Sequence, residues 1–217
     1  MAERPIIFSA PMVRAILDGR KTQTRRIVKL PHNNPLGVWE ATTFGGPGTY
    51  TKKGEPYPER PAIWHTRTGT TIVPAFALGD RLWVREAWAP VIEGAWKADD
   101  VIYRADGNEG WRHGWRPSIH MPRWASRITL RVTDVRVLRL QDISEEDAKA
   151  EGVAFDVAKG FVVPGVEHPN SDFPYLARPT AREMFAALWD TINGSGAWSA
   201  NPWVAAISIE RVGGGND

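Results

Sequence analysis

The residues best equipped for chemistry in this chain lie in one run near its start, Gly19-Arg20-Lys21-Thr22-Gln23-Thr24-Arg25-Arg26. The run combines a lysine that can serve as a base, threonine hydroxyls that can serve as nucleophiles, and arginines whose planar fork of donors binds anions. Strict strand alternation would place Thr22, Thr24 and Arg26 on one face and Lys21 on the other. For Lys21 and Thr24 to act together, Lys21 must therefore lie in a turn. The competing reading is a solvated basic face made by Lys21, Arg25 and Arg26. Against it stand the interleaved threonines and the immediate Ile27-Val28, which read as a strand entering a core.

The elements that must hold this run are local and legible. Pro5, Ile6, Ile7 and Phe8 read as a buried strand, and Ser9 as the N-cap of a helix carrying Val13, Ile16 and Leu17. That helix should stop at Asp18, with Gly19 in the left-handed conformation that ends helices.

Two carboxylates stand out further along. Gly79-Asp80 turns into Arg81-Leu82-Trp83-Val84-Arg85-Glu86, whose alternation puts Leu82, Val84 and Glu86 on one face. An acid on an apolar face either pairs with a core arginine or faces a cavity, and Trp88 on the same face could join it in gripping a heterocycle or simply pack. Ser144-Glu145-Glu146-Asp147 resembles a capping box that starts a helix, and Gly152 ends it, leaving Glu151 in the final turn. An acid there opposes the helix dipole by about 0.3–1 kcal/mol, so Glu151 is either a solvated surface residue or is placed there for chemistry.

The rest of the chain supplies framework. Ser126 to Leu140 reads as a long strand or hairpin with a bulge near Asp134. Thr180 and Glu183 form a second capping box for a helix with the apolar stripe Met184, Phe185, Leu188, Trp189 and Ile192, closed by Asn193-Gly194. A last strand runs from Trp203 to about Val212, followed by a glycine-rich tail expected to be disordered. Residues 31–78 hold seven prolines and six glycines with little periodicity, as expected of a long ordered loop or insertion rather than a core element, one that could form a lid. Further loop-rich insertions are expected at about 104–125, where Trp111, Arg112, His113, Trp115, Arg116 and Trp124 form either a nucleic-acid surface or apolar anchors, and at about 155–178.

The 217 residues, 42% hydrophobic, can bury one substantial core, so a single elaborated domain over 1–217 is expected. With no cysteine, disulfides and thiolate metal sites are excluded, and the five histidines lack metal-ligand spacing. No membrane or secretory segment is apparent, which points to a cytoplasmic address. Net charge is only +2, but twenty of the 27 basic residues are arginine, and there are eleven tryptophans. Arginine with tryptophan suits a nucleotide-like partner better than a membrane.

Taken together, the helix before Gly19-Arg20-Lys21, then Thr24 and Arg26, and later Ala148-Lys149-Ala150-Glu151-Gly152 after strands opened by Gly79-Asp80, resemble the ASCH family, including its longer phage and prophage members. The resemblance covers the barrel elements and not the three insertions. It implies an α+β fold, a PUA-like β-barrel with short flanking helices and long loop insertions. It also implies an amidohydrolase that removes the acyl group from N4-acetylcytidine and related N4-acylated cytidine or cytosine derivatives, with Lys21, Thr24 and Glu151 as the catalytic set. Arg26, Glu86, Trp88 and Ser9 are the candidate substrate contacts. The scheme needs neither metal nor cofactor, and its partner is a small nucleoside or nucleobase. Two other functions stay open at this point: an RNA-binding module without turnover, and a metal-independent ribonuclease.

Overall fold

The computed structural model describes residues 3–91, 100–107, 114–166 and 177–212. Its first element, β1 (Glu3–Ile7), leads into α1 (Ala10–Leu17), and β2 (Gln23–Ile27) follows the polar turn. Asp18 caps α1 and Gly19 takes φ +73°, as its position demands. Ser9 holds the N-cap place only with its backbone, since its hydroxyl makes no capping hydrogen bond.

A five-stranded sheet forms the centre, in the order β1, β6 (Arg81–Arg85), β9 (Thr129–Arg139), β13 (Trp203–Val212), β2. β1 pairs parallel to β6 and every other pairing is antiparallel. The alternation read in β6 holds: Leu82, Val84 and Glu86 are all buried. β13 is central and covered on both faces, so Val204, Ala205, Ala206 and Ile207 are all buried despite the lack of alternation. Burial of the Val204 and Ile207 side chains contributes about 1.5–3 kcal/mol each.

The expected bulge lies at Thr133. Ser208 pairs with Asp134 and Ile209 with Val132, leaving Thr133 without a partner. The irregularity matters for the polar run, because the Ile209 N–H donates to the Thr22 carbonyl at 2.8 Å.

The sheet mixes with few helices, so the α+β class stands, but its strands do not close into a hydrogen-bonded barrel. The edge strands β1 and β2 share no ladder. A side chain ties them instead, the Arg26 guanidinium donating to the Ile7 carbonyl at 2.8 Å. The seam between β1 and β2, bridged by α1 in sequence, is where the polar run sits.

Residues 31–78 are a correction. They form their own antiparallel sheet of β3 (Trp39–Phe44), β4 (Arg60–His65) and β5 (Thr71–Ile72). Trp39 and Ile63 join the main core, and His65 packs edge-on against His32 and Trp39. The glycines and prolines that masked these strands lie largely in the hairpin loop between β3 and β4. This segment is no lid over the seam, because none of its residues lines either of the cavities described below.

The second insertion is anchored by aromatics. β7 (Trp88–Pro90) pairs with β8 (Val101–Tyr103), and Trp88, Val101, Tyr103, Met121 and Ala125 form a small separate core. Trp111, Arg112 and His113 lie outside the described residues, as does the tail after Val212. The third insertion, read as a loop, carries β10 (Ala154–Asp156), β11 (Gly160–Val162) and β12 (Ala177–Arg178) as a three-stranded sheet. These strands are two or three residues long, too short to show a period.

Both capping predictions are met at the backbone. Ser144 accepts from the Asp147 N–H to start α2 (Glu145–Ala150), and Thr180 accepts from the Glu183 N–H to start α3 (Ala181–Asn193). The Asp147 carboxylate does not reach back to complete a box, being engaged elsewhere. Among the described residues no helix is long and apolar enough to cross a membrane.

Candidate active site

Lys21 lies outside β2, in the turn, and meets Glu151 in an isolated antiparallel bridge. Its own N–H donates to the Ala15 carbonyl at 2.9 Å, and the Thr22 N–H donates to the Ala150 carbonyl at 2.8 Å. The run is thus pinned between the ends of α1 and α2. Gly152, with φ +102°, makes this approach possible: a β-carbon there would sit 3.3 Å from that of Ala15 and 3.6 Å from that of Lys21.

Two residues separated by 130 positions then meet in the interior. Lys21 Nζ donates to Glu151 Oε2 at 2.7 Å and to the Glu151 main-chain carbonyl at 2.9 Å. The ammonium therefore also satisfies a free carbonyl at the end of α2, where a cation is favoured. Both side chains are nearly inaccessible, 3% and 4% exposed. Burial pulls the Lys21 amine below its ordinary 10.5, with Arg26 and Arg25 acting in the same direction and Glu151 opposing them.

Arg25 does not lie on the solvated basic face of the competing reading. It is fully buried, donating to Glu151 Oε1 at 3.0 Å, to Asp147 at 2.7 Å and to Gln23 Oε1 at 2.6 Å, while its guanidinium packs over the Phe185 ring. Arg136 and Gln23 hold the other side of Asp147. A signal for this existed. Asp147 on α2 and Glu151 at its C-cap are four apart, so they share a face, and two carboxylates on one packed face require a cation between them.

A cavity of about 470 Å³ opens on this cluster. Lys21, Thr24, Arg25, Arg26 and Glu151 form its polar side, and Phe185, Leu188, Trp189 and Ile192 of α3, with Ile7, Met12 and Ile27, its apolar side. Thr24 is buried, and its hydroxyl makes no hydrogen bond among the described residues. Arg26 stacks over Phe8, whose ring also faces Lys21. Ile192, expected in the core stripe of α3, is instead 62% exposed at the cavity.

The candidate substrate contacts divide. Arg26 and Ser9 line the cavity with the predicted catalytic set, whereas Glu86 and Trp88 do not. Glu86 is held by Arg127 through bonds of 3.0 and 3.1 Å, the core-arginine alternative. Trp88 is buried, edge-on to Trp124 and under the Arg116 guanidinium. The physical reason is that β6 and β7 turn these side chains into the interior and the second small core, away from the β1–β2 seam. Among the described residues, no group of three His, Asp or Glu side chains is placed to hold a metal ion.

Glu86 carries its own prediction. Burial raises its carboxyl above the ordinary 4.5, against the pull of Arg127. A raised folded value means that the proton is held more tightly in the folded state. The resulting stabilisation is complete below 4.5 and is lost as pH rises through the folded value. Thermal melts of the parent and of Glu86→Gln across about pH 4 to 8 should therefore differ in slope, the parent losing stability relative to the variant as pH rises. Parallel curves would contradict the assignment.

No protein-family model, no curated protein and no solved structure matches this chain.

Proposed function

We propose that the protein is an amidohydrolase that removes the acyl group from N4-acylated cytidine or cytosine, on a curled sheet of the PUA-like, ASCH type left open at the β1–β2 seam. The observation that carries this reading is the convergence of a buried amine, a buried carboxylate 2.7 Å away and an unpartnered threonine hydroxyl on one half-apolar cavity. A structural ion pair needs neither the free hydroxyl nor the cavity.

The chemistry follows from these groups. Lys21 in its free-amine form takes the proton of Thr24 as Oγ1 attacks the acyl carbonyl carbon. Arg26, with donors beyond the one given to Ile7, stabilises the oxygen that becomes negative, a contribution of about 3 kcal/mol in a water-poor site. The C–N bond breaks, and the cytosine amino group leaves with a proton delivered from the Lys21–Glu151 pair. Water then attacks the threonine ester, giving up its proton to Lys21, which returns it to Thr24 Oγ1 as the ester C–O bond breaks and the carboxylic acid is released. One amide and one water thus become one acid and one amine. The apolar wall from α3 suits the acyl chain and the face of the base.

The direct test mixes purified protein with N4-acetylcytidine and follows the absorbance change to cytidine. Turnover is expected for the parent, and for Thr24→Val a loss of about 100-fold or more. Inactivity of the parent across several N4-acyl groups would reject the reaction. Salt separates it from RNA binding, because phosphate-driven association falls steeply with salt while turnover of a neutral nucleoside does not. Metal-independent degradation of RNA by the parent would favour the ribonuclease.

A further inference from the structure

A second cavity, of about 770 Å³, adjoins the first across Phe8 and Ser9, which line both. We propose that it binds a phosphate carried by the nucleotide whose acyl group is cleaved next door, so that the preferred substrate is a phosphorylated N4-acylcytidine and not the free nucleoside. The inference rests on the amidohydrolase reading for the reaction, but the phosphate site stands on its own observations.

Among the described residues, the lining contains two arginines, Arg14 and Arg104, and no carboxylate. Arg14 is half-buried and aimed by its surroundings: Nη1 donates to the Ala105 carbonyl at 3.2 Å, and Nη2 lies against Gly165, where a β-carbon would approach to 2.4 Å. Neither guanidinium pairs with an acid among the described residues. This contrasts with the seam, where Lys21 and Arg25 are matched to Glu151 and Asp147. A concave site with two guanidinium forks that no described acid neutralises is complementary to a dianionic or bridging phosphate.

The remaining lining fits a nucleotide. Ser9 and Ser118 bring hydroxyls, that of Ser9 free of any capping bond and placed where the two cavities meet. Trp115 is half-buried, and its ring stacks on no other described ring or cation. In a cytidine nucleotide the N4 edge and the phosphate lie at opposite ends. A base in the smaller cavity would therefore direct its phosphate away from Lys21, across Ser9, towards Arg14 and Arg104.

The test compares kcat/KM on N4-acetylcytidine, on its 5′-monophosphate and on a short oligonucleotide containing one such residue, together with calorimetric binding of cytidine 5′-monophosphate and cytidine, which needs no turnover. Phosphorylated substrate is expected to be favoured about tenfold or more, the usual scale of charge-assisted hydrogen bonds. Preference for the monophosphate identifies a terminal phosphate, and preference for the oligonucleotide a phosphodiester. In Arg104→Ala, whose side chain is exposed and outside the core, the ratio of phosphorylated to nucleoside kcat/KM should fall about tenfold, and Gly165→Ala should lower it by displacing Arg14. Equal kcat/KM for nucleoside and phosphorylated forms, or a ratio unchanged in Arg104→Ala, overturns the phosphate site while leaving the amidohydrolase. Absence of turnover with Arg104-dependent binding of cytidine 5′-monophosphate does the reverse.

Discussion

Lys21→Ala is expected to lose hydrolysis of N4-acetylcytidine by about 10³-fold or more, the scale on which a positioned general base contributes. Because Lys21 also caps α2 and pairs with Glu151, loss of activity in this variant alone is compatible with structural damage. Lys21→Arg separates the two roles. It keeps a cation opposite Glu151 but supplies no free amine at accessible pH, so it should stay folded and be as inactive as the alanine variant.

The pH profile gives the same test without mutation. Only the free amine can accept the Thr24 proton, so kcat/KM should rise with pH through the Lys21 value. Burial, reinforced by Arg26 and Arg25 and opposed by Glu151, sets that value below 10.5. An active Lys21→Arg protein, or a rate that falls as pH rises through that range, would remove the base from the mechanism.

The second large effect is on stability. Glu151→Ala leaves Lys21 buried with no acid partner, and leaves Arg25 with Asp147 alone. Breaking a buried pair by removing one member costs about 3–5 kcal/mol, because the other charge remains desolvated. For a chain of this size that corresponds to a Tm lower by about 10 °C. Lys21→Met combined with Glu151→Leu should recover a good part of the loss, since a buried pair replaced by apolar groups is often neutral. A Glu151→Ala protein melting within about 1 °C of the parent would mean that water reaches the pair. The site would then lack the low dielectric on which the lysine chemistry depends.

Much of this site was legible from residue order alone. The stop of α1 at Asp18 and Gly19, the inward face of β6, the capped starts of α2 and α3, the bulge next to Asp134 and the span of β13 all follow from near-neighbour physics. In each case a few consecutive side chains, or an alternation over several residues, carry the information. The same rules indicated that Lys21 would have to leave the strand to work beside Thr24, and Lys21 does lie in the turn before β2.

Other features depended on which strands lie side by side, and that is set by packing over the whole chain. Arg25 had no partner in its own stretch of sequence until β2 became the edge beside α2 and brought it to Asp147 and Glu151, more than 120 residues away. Glu86 and Trp88 had suitable chemistry for a heterocycle, yet β6 lies on the far side of β9 and β13 from β2, and their partners are Arg127, Trp124 and Arg116. The short strands of residues 31–78 and 154–178 exist because their partners hold them in register, which no local propensity demands.

The chain's order of residues therefore specifies where its helices stop, where its strands alternate, and that a lysine, a threonine and arginines emerge together from a turn. Folding adds what distance along the chain conceals: an open seam between β1 and β2, and the buried carboxylate at the end of α2 that pairs with the amine. Backbone preferences act over a few residues, whereas ion pairing and cavity shape arise only once remote segments exclude water together.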